Sequence, residues 1–216
     1  MIGSKNNSRL LTLGRMITLL EPNISPIRFV ISDCPTNSTL NFYVQEFQKC
    51  GVTHLVRVCE PTYSTELVEK AGIRMVDMPF KDGGAPPFSV LRKWLALIEP
   101  QHSPPPTICV HCVAGLGRAC VMVAIALIEY GMEPLESVEY IRSARRGAFN
   151  KRQIEFLDGY RRITRGLKAP VAGGIEGGKA VQAHEQPSGA SALAGLVKNP
   201  FAKIFAKDRK MSLIVN

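Results

Sequence analysis

A chain of 216 residues with 45% hydrophobic content is long enough for one sizeable core plus tails, and its composition is that of a globular protein. A net charge of +9 favours acidic partners: phosphate esters, anionic lipid surfaces or nucleic acid. Residues 10–20 are interrupted by Arg15 and lack a signal-peptide cleavage site, and no run is apolar enough to cross a membrane. The six cysteines have no regular spacing, which argues against a secreted disulfide framework or a zinc site, and His54, His102 and His184 lack metal-ligand spacing. Ile2 excludes N-myristoylation. These features predict a cytoplasmic, reducing location and no metal or cofactor.

In chain order, residues 1–26 read as a loosely ordered arm broken by Pro22 and Pro26. Residues 27–32 are a first strand. After a turn at residues 34–37, Ser38 or Thr39 caps a helix whose apolar positions Leu40, Val44 and Phe47 recur at helical spacing, with Gly51 at its end. A second strand covers 54–58, with Cys59 at its C-terminal end. A loop and short helix follow over 61–70, then a third strand over 73–78. Residues 79–87 are a Gly/Pro loop containing Asp82. An amphipathic helix runs over 88–98, with Val90, Leu91, Trp94, Leu95 and Ile98 on one side. A fourth strand covers 107–111.

Beyond it lies the stretch that organises the rest, HCVAGLGRA, followed by an apolar helix closed by Gly131. Pro134 opens a further helix with Leu135, Val138 and Ile141 facing inward. Asn150 and Gln153 cap a last one carrying Ile154, Leu157 and Tyr160. Strands alternating with helices predict an α/β fold: a mainly parallel sheet of about four to five strands covered on both faces. The ligand site of such a fold lies at the C-terminal strand ends. The predicted domain spans 27–165. Residues 166–216 are expected to form a flexible, Gly/Ala-rich linker and a basic tail, whose segment 199–211 reads as a membrane-surface helix or as a disordered basic tail.

Cys112 stands six positions before Arg118, and Val113, Ala114, Gly115, Leu116 and Gly117 lie between. The two glycines let the backbone curl with its N–H groups inward, at the start of a helix whose dipole favours an anion. A thiolate, an amide cradle and a guanidinium fork are the parts needed to attack a phosphate ester through sulfur. His111 is a candidate to orient the loop. Expelling an alkoxide or phenoxide also needs a proton donor, and Asp82 is the candidate; Asp77 falls inside a strand. Arg142, Arg145 and Arg146 read as a solvated charged face or a collector of anions.

VHCVAGLGRA, together with IRSARRGAFN, RFVISDCPTNSTL, GVTHLVRVCEPTY and MPFKDGGAPP, resembles the phosphatases of regenerating liver, a branch of the dual-specificity, cysteine-dependent protein tyrosine phosphatases. The likeness spans about residues 27–162. It implies a protein tyrosine phosphatase-like fold and hydrolysis of phosphate monoesters in phosphoproteins through a phosphocysteine on Cys112. It also implies Asp82 as general acid, and slow turnover because Ala119 replaces the hydroxyl found after the loop arginine in many phosphatases. A further implication is a reversible, protective disulfide between Cys59 and Cys112. Departures from the family's pattern are Met78, Lys81, an extra glycine at Gly83 or Gly84, and Cys120. The family's C-terminal prenylation cysteine has no counterpart in SLIVN. The alternatives are a weakly active module docking a CBS-domain magnesium transporter and a phosphoinositide phosphatase.

Overall fold

The computed structural model describes residues 11–13, 17–99 and 104–164. By contact the chain divides into two units, Met1–Val171 and Ala172–Asn216, and all described residues belong to the first. The expectations for 166–216 lie outside the described residues.

Among the described residues the strands are β1 (Leu11–Leu13), β2 (Ile17–Leu20), β3 (Arg28–Ser32), β4 (His54–Arg57), β5 (Arg74–Asp77) and β6 (Thr107–His111). They form one sheet in the order β1-β2-β3-β6-β4-β5. The last four in that order are mutually parallel, as predicted. β1 and β2 are antiparallel additions at the edge. The arm predicted over residues 1–26 therefore supplies two strands. Ile17, Leu19 and Leu20 of β2 are buried, and that burial fixes a segment that the polar start of the chain and the breaks at Pro22 and Pro26 make read as loose.

The strand period of two sorts side chains onto two cores. Phe29, Ile31, Val56, Ile108 and Val110 join the core on one face, whereas Val30, Leu55 and Cys109 join the core on the other. α1 (Leu40–Lys49) and α2 (Glu66–Lys70) pack on the second face. α3 (Phe88–Leu97), α4 (Arg118–Glu129), α5 (Pro134–Ala144) and α6 (Lys151–Gly159) cover the first.

α4 is buried along its whole length, which suits a helix that is apolar all round. Its terminal Glu129 is buried and accepts from Tyr160 Oη at 2.6 Å, from the Ile163 and Thr164 amides at 2.9 Å each, and from Thr164 Oγ1. These donors offset the cost of burying a carboxylate and tie the end of α6 to α4.

The capping box of α6 forms as predicted: Asn150 Oδ1 accepts from the Gln153 amide at 2.9 Å, and Gln153 Oε1 from the Asn150 amide at 3.1 Å. Two local expectations fail. Thr39 precedes α1, but its hydroxyl accepts from the Thr36 amide rather than from a helix amide. Leu135 is exposed, and Ser137, Val138 and Ile141 carry the inward face of α5.

Candidate functional site

β6 ends at His111, and the chain turns through Cys112–Gly117 into α4. Every carbonyl from residue 113 to 117 is taken by the framework. Val113 O accepts from the Cys34 amide at 3.0 Å, and Ala114 O and Gly115 O accept from Arg145 Nη2 at 3.5 Å and Nε at 2.5 Å. Leu116 O accepts from the Phe149 amide at 2.7 Å, and Gly117 O from the Val121 amide at 3.0 Å. In a planar trans peptide the N–H points opposite to its C=O. Holding these carbonyls outward therefore turns the amides of residues 114–118 toward the inside of the loop, the arrangement that binds an oxyanion.

Gly115 makes this possible. Its φ is +64°, and a Cβ there would come within 2.5 Å of Ser32 O and closer still to Arg145 Nη2. Phe149, at φ 64°, is the non-glycine residue in the left-handed region among the described residues. Its amide bond to Leu116 O and the Arg142 bond to its carbonyl (Nη2, 3.4 Å) hold it there.

Cys112 is 3% exposed at the base of this loop. Arg118 opens α4 and is buried. Its Nη1 donates to Phe80 O at 3.0 Å and Val58 O at 3.3 Å, and its Nε lies 3.0 Å from Asp82 Oδ1. The last contact is an ion pair without hydrogen-bond alignment. The Nη1 side is thus anchored, and the Nε–Nη2 edge, which faces Asp82, is the edge of a guanidinium that can hold two oxygens.

Asp82 reaches this edge from an exposed loop. Its own Oδ1 accepts from the Gly83 amide at 2.9 Å, and Asn150 Nδ2 donates to Gly83 O at 3.1 Å. A cleft of about 350 Å³ beside them is lined by Asp82, Gly83, Leu116, Gly117, Gly147, Phe149, Asn150 and Gln153. The buried Gln153 Nε2 has no hydrogen-bond partner and lies 3.2 Å from where a Gly117 Cβ would be.

Asp77 stays out of the site, as its strand position predicts. It accepts from Arg57 Nε at 2.7 Å and Nη2 at 2.9 Å. The Arg57 guanidinium stacks 4.8 Å over the Tyr63 ring, and Tyr63 Oη lies 2.6 Å from His111 Nε2. His111 Nδ1 is buried without an aligned partner. Burial pushes the His111 pKa down to about 4, so the imidazole is neutral near pH 7. Ala119 and Cys120 are fully buried in the first turn of α4, and Cys120 Sγ donates to Gly115 O at 3.4 Å.

Cys59 follows β4, the neighbour of β6, and Val58 N donates to His111 O at 3.0 Å. Cys59 and Cys112 therefore leave adjacent parallel strands one residue beyond that bond, and both are free thiols.

Sequence reasoning missed several members of the site. Arg145, grouped with the solvated arginines, is buried: besides the loop carbonyls, its Nη1 donates to Thr18 Oγ1 at 3.0 Å. Arg142 is also engaged, donating to Ala148 O at 2.9 Å. Arg57 and Tyr63 carried no local signal. Cys34 was read only as part of a turn. Its Sγ, that of Cys59 and a His111 nitrogen lie within 4.8 Å of one another, a grouping that bears on the expectation of no metal ligand.

Residues 22–171 match a family model described as the Swiss Army Knife protein, DSP-PTPase phosphatase domain. Over 136 residues, 62% of this chain and 82% of the relative, the chain is 52% identical to "Probable protein tyrosine phosphatase type IVA A" of Dictyostelium discoideum. It is 46% identical to the human protein tyrosine phosphatase type IVA 3 over 144 residues, 66% of this chain and 83% of the relative. A solved chain from Leishmania major, described as a protein tyrosine phosphatase, superposes with a TM-score of 0.59 at 40% identity, covering 72% of this chain and 99% of that one. Among the described residues no helix is long and apolar enough to cross a membrane. On these likenesses the chain belongs to the type IVA (PRL) branch of the dual-specificity protein tyrosine phosphatases, cysteine-dependent hydrolases of phosphate monoesters in phosphoproteins.

Proposed function

We propose that Cys112 is the nucleophile, Arg118 the phosphate clamp and Asp82 the general acid of this phosphatase. The observation that carries the reading is the ring of outward-held carbonyls from Val113 to Gly117 around Cys112. In the first step Cys112 sulfur forms a bond to phosphorus as the phosphorus–oxygen bond to the leaving group breaks, and Asp82 protonates that oxygen. Three non-bridging oxygens sit among the amides of residues 114–118, and two of them take the Nε–Nη2 edge of Arg118. Asp82 occupies that edge, so phosphate binding releases its carboxyl toward the leaving group. In the second step water attacks phosphorus, Asp82 takes a proton from it, and Cys112 leaves as thiolate. His111, held by Tyr63, positions the start of the loop. Ala119 offers no hydroxyl to the departing sulfur, which supports slow hydrolysis of the phosphocysteine.

Cys59 is the resolving thiol in this reading: it forms a disulfide with oxidised Cys112 and protects it from further oxidation. The adjacent strand ends support the pairing. A cytoplasmic site of action is supported by the need for a reduced Cys112. Docking of a CBS-domain magnesium transporter rests on the family resemblance alone, and contact with an anionic membrane surface rests on the basic tail.

The decisive experiment follows phosphate release from an aryl phosphate by the wild type, Cys112→Ser and Asp82→Ala, with phosphocysteine trapped by acid quench. Turnover that survives in Cys112→Ser, or a phosphorylated residue other than Cys112, refutes the assignment. Pull-down of a CBS-domain pair and flotation with anionic vesicles test the two partners.

A further inference from the structure

Three neighbouring parallel strands each hand a cysteine to the same edge of the sheet. Cys34 follows β3, Cys112 follows β6 and Cys59 follows β4, and β6 is the central strand of the three. The register is locked on both sides, by the Cys34 amide on Val113 O and the Val58 amide on His111 O, each at 3.0 Å. Cys109 points to the core on the opposite face, Cys120 sits in α4, and Cys50 ends α1. None of those three joins the group at the edge.

Within the group the sulfurs are not equivalent. Cys34 Sγ and Cys59 Sγ lie within 4.8 Å of each other. Cys59 and Cys112 are buried at 2% and 3% exposure, whereas Cys34 is half-buried, with its Sγ 3.0 Å from the exposed Thr62 Oγ1. Cys59 is the sulfur under the influence of both others. Burial first, then its neighbour Cys34 and to a lesser degree Cys112, push its thiol up to about 12. It is therefore a poor leaving group, which disfavours attack on Cys112 sulfur with loss of Cys59 and leaves attack on Cys59 sulfur with loss of Cys112.

We propose that Cys34 is a third redox thiol, which takes Cys59 out of the Cys59–Cys112 disulfide and so returns Cys112 to its reduced, active state. The idea rests on the reading of Cys59 as the resolving thiol. The sequence of steps balances with a peroxide as oxidant. Cys112 thiolate takes one oxygen from hydrogen peroxide, giving sulfenic acid and hydroxide. The Cys59 thiol condenses with it, forming the Cys59–Cys112 bond and releasing water. Cys34 sulfur then attacks Cys59 sulfur. The Cys34–Cys59 bond forms, the Cys59–Cys112 bond breaks, Cys112 leaves with the electron pair, and the Cys34 proton passes to water. The exchange consumes no electrons. The oxidising equivalent moves from the buried active thiol to a pair whose half-buried member, Cys34, a dithiol reductant can reach. A disulfide needs the sulfurs at about 2.0 Å, so from within 4.8 Å the pair closes by side-chain rotation together with movement of the chain that follows β3 and β4.

The test oxidises the full chain with one equivalent of hydrogen peroxide, blocks thiols at intervals and maps disulfides without reduction, while aryl phosphatase activity is followed. In the wild type, Cys59–Cys112 is expected to appear first and to give way to Cys34–Cys59, with activity returning before any reductant is added. Cys34→Ser keeps the backbone amide that holds Val113 O; measured against its own basal rate, it should stop at Cys59–Cys112 and recover at least about tenfold more slowly in the absence of reductant. A wild type that holds Cys59–Cys112 with no Cys34–Cys59 peptide, or a Cys34→Ser variant that recovers at the wild-type rate, overturns the relay alone. If Cys34→Ser never forms Cys59–Cys112 and Cys112 runs on to sulfinic acid, the resolving role of Cys59 fails and the relay with it.

Discussion

Asp82 Oδ1 stands 3.0 Å from Arg118 Nε, on the edge of the guanidinium that faces away from its two carbonyl anchors. A carboxylate in that place competes with an oxyanion for the same donor. Asp82→Ala should therefore bind vanadate about two- to fivefold more tightly, the worth of an exposed ion pair. At the same time it should hydrolyse an alkyl phosphate about a hundredfold or more slowly. Equilibrium titration and steady-state kinetics on the same variant check both. Weaker vanadate binding would show that the contact does not oppose the anion.

Arg145 holds the loop from behind, and lysine cannot reproduce its fork. Arg145→Lys leaves Ala114 O, Gly115 O or Thr18 Oγ1 short of a donor. We expect a loss of about 2 kcal/mol in urea unfolding and at least tenfold weaker vanadate binding, since misdirected carbonyls also misdirect the amides.

Two glycines with positive φ should respond differently to alanine. At Gly115 the new Cβ meets Ser32 O and Arg145, so activity should fall about a hundredfold or more and the unfolding midpoint should drop. At Gly147, φ +86°, nothing lies within 4 Å of a Cβ, and only the backbone penalty of about 1–2 kcal/mol applies. Comparable losses at both sites would remove the close-approach explanation for Gly115.

Ala119 is fully buried next to Arg118. Ala119→Ser places a hydroxyl beside the departing sulfur. The steady-state rate should rise several-fold toward the burst rate, a gain of about 1 kcal/mol in the barrier, while the burst itself is unchanged. Quenched-flow measurement of phosphocysteine separates the two phases. A rise in the burst rate alone would place the slow step elsewhere.

His111 is buried as the neutral ring, its pKa lowered from 6.5 to about 4. The unfolded chain therefore binds the extra proton between those two values, and the native state does not. Stability from this residue is intact above about 6.5 and is lost as the pH falls toward 4, by about 2 kcal/mol at pH 5. Urea unfolding at pH 7.5 and pH 5 should show that loss, and His111→Asn should reduce it.

The parallel sheet was legible because its strands are short apolar runs separated by helical periodicity and turn residues, as at 54–58 and 107–111. The candidate site was legible because its loop is contiguous: Cys112, two glycines, Arg118 and an apolar helix lie in one stretch, and local spacing sets their geometry. Asp82 was legible for a similar reason, being the acid in a Gly/Pro loop after a strand.

What only the folded chain decided is how that loop is held. The Arg145 guanidinium closes on Gly115 O from 30 residues away, and the Tyr63 hydroxyl on His111 from 48. β2 is fixed by its antiparallel pairing with β3. Such contacts depend on which helix and strand faces meet across a core, and no spacing along the chain encodes that. The placing of Cys112, the two glycines and Arg118 between β6 and α4 is local, so sequence determined it. The direction in which the loop carbonyls point and the company the sulfurs keep are long-range, so tertiary packing decided them.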